Sequence, residues 1–167
     1  MRRTYNTMNK TKLPVMVILN DVRSAHNVGS IFRTADAAGV SRIYIAGYTP
    51  APIDRFGRPQ GDIEKTALGA ELSVPWENYQ NVVELIKKLQ SEGVYVVAVE
   101  QRPGATDYKD LTLEGPTAFV FGNEVDGIPD EACEAADAVV DIVMRGKKES
   151  LNVAIAVGVV LFRFLDR

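Results

Sequence analysis

Three stretches of the chain set polar or charged side chains beside glycines, each just after or within an apolar run. The first is Asn27-Val28-Gly29-Ser30-Ile31-Phe32-Arg33. Asn27 is placed to cap a helix, and Gly29 clears a side chain where a ligand backbone can approach. Arg33 stands four residues on, on the same helix face. A guanidinium beside a cleared helix start suits a phosphate. The same residues also read as an ordinary cap, a close-packing glycine and an Arg33–Asp36 ion pair. The second stretch runs from Phe121 to Pro129 and holds Gly122, Glu124, Asp126 and Gly127. Its glycines suit turns that wrap a ligand, and Glu124 can accept hydrogen bonds from a ribose or an amine. A plain strand-to-helix turn is the alternative. The third runs from Ile142 to Asn152: an apolar strand, a loop with Arg145, Lys147 and Lys148, and Ser150 as a helix cap. Asn152 then falls in the first turn of an apolar helix. Burial there demands a partner, because an unmade hydrogen bond is costly; a local capping bond would supply one.

Other chemistries are poorly served. His26 is the only histidine and Cys133 the only cysteine. No G-x-S-x-G surrounds a serine, no G-x-G-x-x-G follows the first strand, and no Walker motif occurs. We therefore expect no metal site and no disulfide, in keeping with a reducing, cytoplasmic setting. The acidic, Ala-rich stretch around Cys133 should raise its pKa and keep it from acting as a nucleophile. The basic start followed by Leu13 to Leu19 superficially resembles a signal peptide. The run meets Asn20, Asp21 and Arg23 without a small-residue cleavage site, so a buried strand is the better reading. Val153 to Phe162, the longest nearly apolar segment, is too short to span a membrane.

These residues must be held by elements. At 167 residues and 18.3 kDa the chain suits one domain over residues 1–167, with residues 1–12 as a flexible basic lead-in. Apolar runs alternate with helical patterns. Strands are expected at Val15–Leu19, Arg42–Ala46, near Leu72–Val74, and at Val94–Val99, Thr117–Phe121 and Ala138–Val143. Helices are expected at Asn27–Ala38, around Ile63–Leu68, at Asn78–Glu92, briefly after Pro129, and from Ser150 to about Leu165. Tyr48 to Gly61, with three prolines, reads as a long loop, and such loops are uncommon unless functional. Strands apolar throughout and separated by helices are parallel and covered on both faces. The fold class is α/β, with a mostly parallel sheet of five or six strands and helices on both faces. Ligands in such sheets bind beyond the carboxyl ends of the strands, which points to the loops after Leu19, Val99, Phe121 and Val143. The final helix is apolar all round and must be buried on all sides. In so small a chain this implies a subunit interface, hence a homodimer.

The formal charge is −3, but it is unevenly spread. Residues 1–60 hold nine Lys/Arg against three Asp/Glu, and residues 61–167 hold ten against nineteen. Such asymmetry hints at nucleic-acid contact. Arg23, Arg33, Arg55 and Arg58 of the basic half, with Lys147 and Lys148, are expected to form a basic face on an acidic body.

The three stretches also carry, in order, N-x-G-x-x-x-R-x-A (Asn27 to Ala35), G-x-E-x-x-G (Gly122 to Gly127) and an apolar strand followed by Ser150-Leu151-Asn152. Together they resemble the motifs of the SpoU or TrmH-type branch of the SPOUT RNA methyltransferases, from Val15 to Phe164. Two departures are visible: Ala25 stands where the family often has proline, and Val143 stands within the usual Ile-Pro-Met. The resemblance implies an α/β domain with a deep C-terminal trefoil knot that binds S-adenosylmethionine. Val99, Gly122, Ile142 and Leu151 would line the cofactor pocket. Arg33 would be the catalytic arginine, joined by Asn27, Glu124, Ser150 and Asn152. The dimer would bury the final helix, and no metal would be needed. The reaction would methylate a ribose 2′-OH of structured RNA, held by Arg23, Arg55, Arg58, Lys147 and Lys148. A compact core suits tRNA rather than the alternative, rRNA; a non-catalytic knotted RNA binder is the remaining reading.

Overall fold

The computed structural model describes residues 13–165; the basic lead-in over residues 1–12 lies outside them. The strands are β1 (Val15–Asn20), β2 (Arg42–Ala46), β3 (Trp76–Tyr79), β4 (Tyr95–Val99), β5 (Thr106–Asp107), β6 (Thr117–Phe121) and β7 (Ala138–Asp141). The helices are α1 (Ala25–Ala38), α2 (Gly61–Ala67), α3 (Ala70–Ser73), α4 (Val82–Ser91), α5 (Asp130–Ala135) and α6 (Val153–Leu165). All seven strands form one parallel sheet in the order β3-β2-β1-β6-β4-β7-β5. The sheet thus has seven strands rather than five or six. The surplus is β5, two residues long and too short to show a period of two.

All six residues of β1 are buried, and successive side chains point to opposite faces. Val15, Val17 and Leu19 join the core under α1, α2, α3 and α6. Met16 and Ile18 join the core under α4 and α5. The register is pinned from both sides: Ile18 lies opposite Tyr44 on β2 and Val120 on β6. A one-residue slip would move every apolar group to the wrong face.

Several local expectations change. Ser24, not Asn27, caps α1, accepting the Asn27 N–H at 3.2 Å, so Asn27 lies within the first turn of the helix. Residues near Leu72–Val74 are not a strand: α3 ends at Ser73, and the strand follows as β3, whose Trp-Glu-Asn-Tyr sequence hid it. Asn81 caps α4, which therefore starts later than Asn78. α6 begins at Val153, so Ser150 does not cap it; Asn152 Oδ1 accepts the Ala154 N–H at 2.9 Å instead. Within the chain α6 is not buried on all sides. Val153, Val157, Val160, Leu161 and Phe164 face the core, while Ile155 and Phe162 are exposed.

Gly29 lets α1 and α2 touch. A Cβ there would lie 1.9 Å from Thr66 Oγ1 and 2.4 Å from the Ile63 carbonyl. Thr66 Oγ1 in turn donates to the His26 carbonyl at 3.1 Å. The glycine is thus required by packing, as the plainer reading of the first motif has it.

Candidate functional site

The carboxyl ends of β4, β6 and β7 open into a cleft of about 410 Å³. Val99 ends β4 and Glu100 and Gln101 follow it; Phe121 ends β6, and residues 122 to 125 and Gly127 follow. Ile142, Met144, Ser150 and Leu151 line the remaining side, with α6 beginning behind them. Three of the four loops expected at a ligand edge meet here; the loop after Leu19 does not line the cleft.

The loop after β6 is held by specific bonds. Asn123 Oδ1 accepts the N–H of Val125 at 2.7 Å and of Asp126 at 3.2 Å. Its Nδ2 donates to the Asp21 carbonyl at 3.0 Å. Gly122 sits so close to the returning chain that a Cβ would lie 2.5 Å from the Gly127 carbonyl carbon and oxygen. Gly127 has φ 69°, a left-handed conformation that favours glycine. Glu100 closes the turn by accepting the Ile128 N–H at 2.7 Å. Sequence reasoning missed Glu100; its signal is a carboxylate directly after the apolar strand Tyr95–Val99.

At one rim of the cleft three of the expected polar residues touch. Asn27 Nδ2 donates to Glu124 Oε1 at 2.6 Å, and Asn152 Nδ2 donates to Asn27 Oδ1 at 3.2 Å. Asn152 Oδ1 is occupied by the Ala154 N–H, which fixes its amide orientation and hence that of Asn27. A carboxylate held by one oxygen keeps the other available as an acceptor. Ser150 lines the same cleft, as do Val99, Gly122, Ile142 and Leu151.

Arg33 is not in the cleft. It borders a second hollow with Ser30, Thr34, Lys65, Thr66 and Phe162 of α6. The Arg33–Asp36 pair of the plainer reading does not form among the described residues, and Asp36 accepts from Ser73 Oγ at 2.7 Å. The expected basic residues are exposed, and two of them are paired. Arg23 pairs with Asp126 at 3.4 Å, both well exposed. Arg58 pairs with Asp54 at 2.8 Å. Arg55 is exposed in the same loop, and Lys147 and Lys148 are exposed just before Ser150. The acidic stretch around α5 packs on the sheet face of α4, opposite α1 and α6.

Burial pushes the Cys133 thiol above its ordinary value, against the lowering effect of Arg102. The acidic neighbours Glu100 and Asp130 add to the rise only secondarily. Among the described residues no group of three or more His, Cys, Asp or Glu could hold a metal, and no helix is long and apolar enough to cross a membrane.

The model of the SpoU rRNA Methylase family matches residues 14–162. The chain is 35% identical over 153 residues to a 23S rRNA (guanosine-2'-O-)-methyltransferase RlmB of Pseudomonas aeruginosa, covering 92% of this chain and 59% of the relative. A relative of the same name from Neisseria meningitidis is 32% identical, with 92% and 58% covered. The chain thus spans about three-fifths of the length of these curated relatives. Among solved structures it resembles the A. aeolicus TrmH/SpoU tRNA modifying enzyme, with a TM-score of 0.79, 28% identity, and 91% and 74% of the two chains covered. It also resembles the AdoMet-bound rRNA methyltransferase from Sinorhizobium meliloti, with a TM-score of 0.78, 34% identity, and 90% and 55% covered.

Proposed function

The chain belongs to the SpoU rRNA methylase family, and from that premise we propose that it transfers a methyl group from S-adenosylmethionine to a ribose 2′-OH of ribosomal RNA. The observation that carries the reading is the Asn27–Glu124–Asn152 cluster, joined by hydrogen bonds at the rim of a cleft beyond β4, β6 and β7. The order of substrates is reversed from the sequence expectation of tRNA. The curated relatives named above are 23S rRNA enzymes. tRNA, the substrate named for the A. aeolicus structure, becomes the second arm of the test. A cytoplasmic location accompanies an RNA substrate.

The cleft suits the cofactor by the chemistry of its lining. Val99, Phe121, Ile142 and Leu151 offer apolar contact, while Glu100 and Glu124 bring negative charge to a cationic ligand. The close approach of Gly122 to the Gly127 carbonyl leaves backbone, not side chain, on that wall. When bound, the cofactor supplies an activated methyl on a sulfonium.

The chain's own residues then position the RNA. Asn152 orients Asn27, Asn27 holds one oxygen of Glu124, and the other oxygen meets a ribose hydroxyl. The Arg33 guanidinium offers N–H donors and no acceptor site. It therefore does not take the hydroxyl proton. It grips the adjacent phosphate and stabilises charge that develops on the attacking oxygen. Water or phosphate receives the proton. Because Arg33 borders the hollow next to Phe162, our reading includes a homodimer through α6, with Arg33 of one protomer serving its partner's cleft.

The same reading includes a trefoil knot at the C-terminal end. Its support is the strand order: β7 lies between β4 and β5 although both precede it in the chain. The segment from β4 through β5 to β6 therefore strides across the place that β7 fills.

The test is methylation of purified, unmodified 23S rRNA and total tRNA with labelled S-adenosylmethionine, followed by nuclease mapping. A 2′-O-methylated nucleotide in 23S rRNA is expected. Product in tRNA alone overturns the substrate, and no 2′-O-methyl product in either RNA overturns the reaction. Calorimetric binding of S-adenosylmethionine without RNA tests the cleft separately.

A further inference from the structure

We propose that residues 47–60, between β2 and α2, form a preorganised arm that reads unpaired RNA bases by stacking them on Phe56 and Tyr48. The inference rests on the reading that the substrate is RNA, and it adds which kind of RNA and which side chains select it.

The arm is built, not slack. The Asp54 carboxylate accepts the N–H of Phe56 at 2.8 Å and of Arg58 at 3.0 Å. It also accepts Arg58 Nε at 2.9 Å. The Asp54 and Arg58 backbones bond at 2.9 Å, and Ile53 and Pro59 form an antiparallel bridge. Gly57, with φ 77°, makes the turn. The Gln60 N–H closes the base on the Pro52 carbonyl at 2.8 Å.

This scaffold holds a large aromatic ring out in solvent: Phe56 is 67% exposed. Burial of such a ring would ordinarily stabilise a fold, so its exposure on a rigid turn calls for an external partner. The ring's surroundings say which. The Arg55 and Arg58 guanidinium carbons lie 4.8 and 5.0 Å from its centroid. Arg58 has its charge answered by Asp54, whereas Arg55 makes no ion pair among the described residues. Both guanidiniums lie over the exposed ring, and an RNA base fits by taking a guanidinium's place on the ring face while the displaced charge meets its phosphate. A duplex hides its base faces, but loops and bulges present them.

The root of the arm lies next to the site. The Tyr48 N–H donates to Asp21 Oδ1 at 2.8 Å, and the Asp21 carbonyl accepts from Asn123, the neighbour of Glu124. Tyr48 itself is 90% exposed. Thr49 fastens the root to β1, donating to the Leu19 carbonyl and accepting the Val22 N–H, each at 3.0 Å. One aromatic thus stands at the arm's root, tied through Asp21 to the loop that carries Glu124, and another at its tip.

The experiment uses the full chain and two RNAs of about 20 nucleotides: a hairpin with six unpaired loop bases, one of them 2-aminopurine, and a blunt duplex of equal length. The wild type should bind the hairpin more tightly and quench the 2-aminopurine. Phe56→Ala should weaken hairpin binding about tenfold and abolish the quench. Duplex binding and S-adenosylmethionine affinity should be unchanged, and Phe56→Trp should restore both hairpin signals. Unchanged hairpin affinity in Phe56→Ala overturns the inference, as does an equal loss on both RNAs. If the wild type methylates rRNA yet Phe56→Ala binds normally, the arm fails while the proposed function stands. If the wild type binds cofactor but neither RNA, both fail.

Discussion

Arg33 lies outside the cleft that its presumed partners share, so its role is separable from theirs. Arg33→Ala should lower the single-turnover rate by ~10²–10³. Affinity for S-adenosylmethionine should stay at the wild-type value, because Arg33 does not line the cleft proposed to hold it. A near-normal rate with saturating RNA would reject the role given to it. At this scale the sequence was informative where motif spacing named Asn27, Glu124 and Asn152, which do meet. It misjudged the caps. Ser24 and Asn27 are both good capping types, and only the backbone path decides between them. Ser150 lost its capping role to Asn152 in the same way. Glu100 and Asp21 stayed invisible because their work is to hold backbone N–H groups, which no residue pattern announces.

Elements were legible where they are long and periodic. Thr117–Phe121 and Arg42–Ala46 agree at both ends. β3 and β5 were missed because edge strands of two to four residues carry polar side chains and too few alternations. Packing between elements yields a sharp prediction. Gly29→Ala drives a Cβ into Thr66 Oγ1 and the Ile63 carbonyl, and the carbonyl cannot rotate away. Thermal or denaturant unfolding should show a loss of ~1–3 kcal/mol, as for an overpacked core; unchanged stability would mean that α1 and α2 are further apart. A second prediction concerns the arm. The Arg58 N–H, aided by the Arg58 side chain and the Phe56 N–H, holds the Asp54 carboxyl below its ordinary value of 3.8. A lowered folded value stabilises the turn above the ordinary value, and that stabilisation fades as pH falls through the folded one. The Phe56 and Arg58 amide NMR shifts should therefore stay constant from pH 8 to 5 and then move with a midpoint below 3.8. A midpoint at or above 3.8 would contradict the turn.

At the scale of the molecule, the chemistry of α6 was legible but its surroundings were not. An all-apolar helix predicts cover without saying whose. Inside the chain only one side is covered, and Ile155 and Phe162 stand at helical spacing on the other. If the proposed homodimer forms through α6, the wild type should sediment as a dimer and Phe162→Asp as a monomer in analytical ultracentrifugation. The substitution should cost activity more than cofactor binding, since Arg33 borders the same hollow. A wild type that is monomeric at micromolar concentration would remove the dimer from the mechanism. The total charge of −3 says little about any one face, because it sums a basic first part, residues 1–60, and an acidic remainder whose stretch around α5 packs on the α4 side of the sheet. The strand order was never in reach of pattern reading, because non-consecutive neighbours leave no local trace.

That order has a consequence for how the protein comes into being. β6 settles between β1 and β4, and β7 between β4 and β5, so each enters a gap flanked by strands made earlier. The sheet cannot be completed in the order of synthesis. Its middle must wait for the later chain, and the cleft has no third wall until β7 and the residues after it are in place. A ribosome-bound chain stopped before residue 138 would carry the arm, α1 and the Glu124 loop, yet have nowhere to hold a cofactor. On the proposed function, competence would arrive only once the residues from 138 onward have closed the cleft.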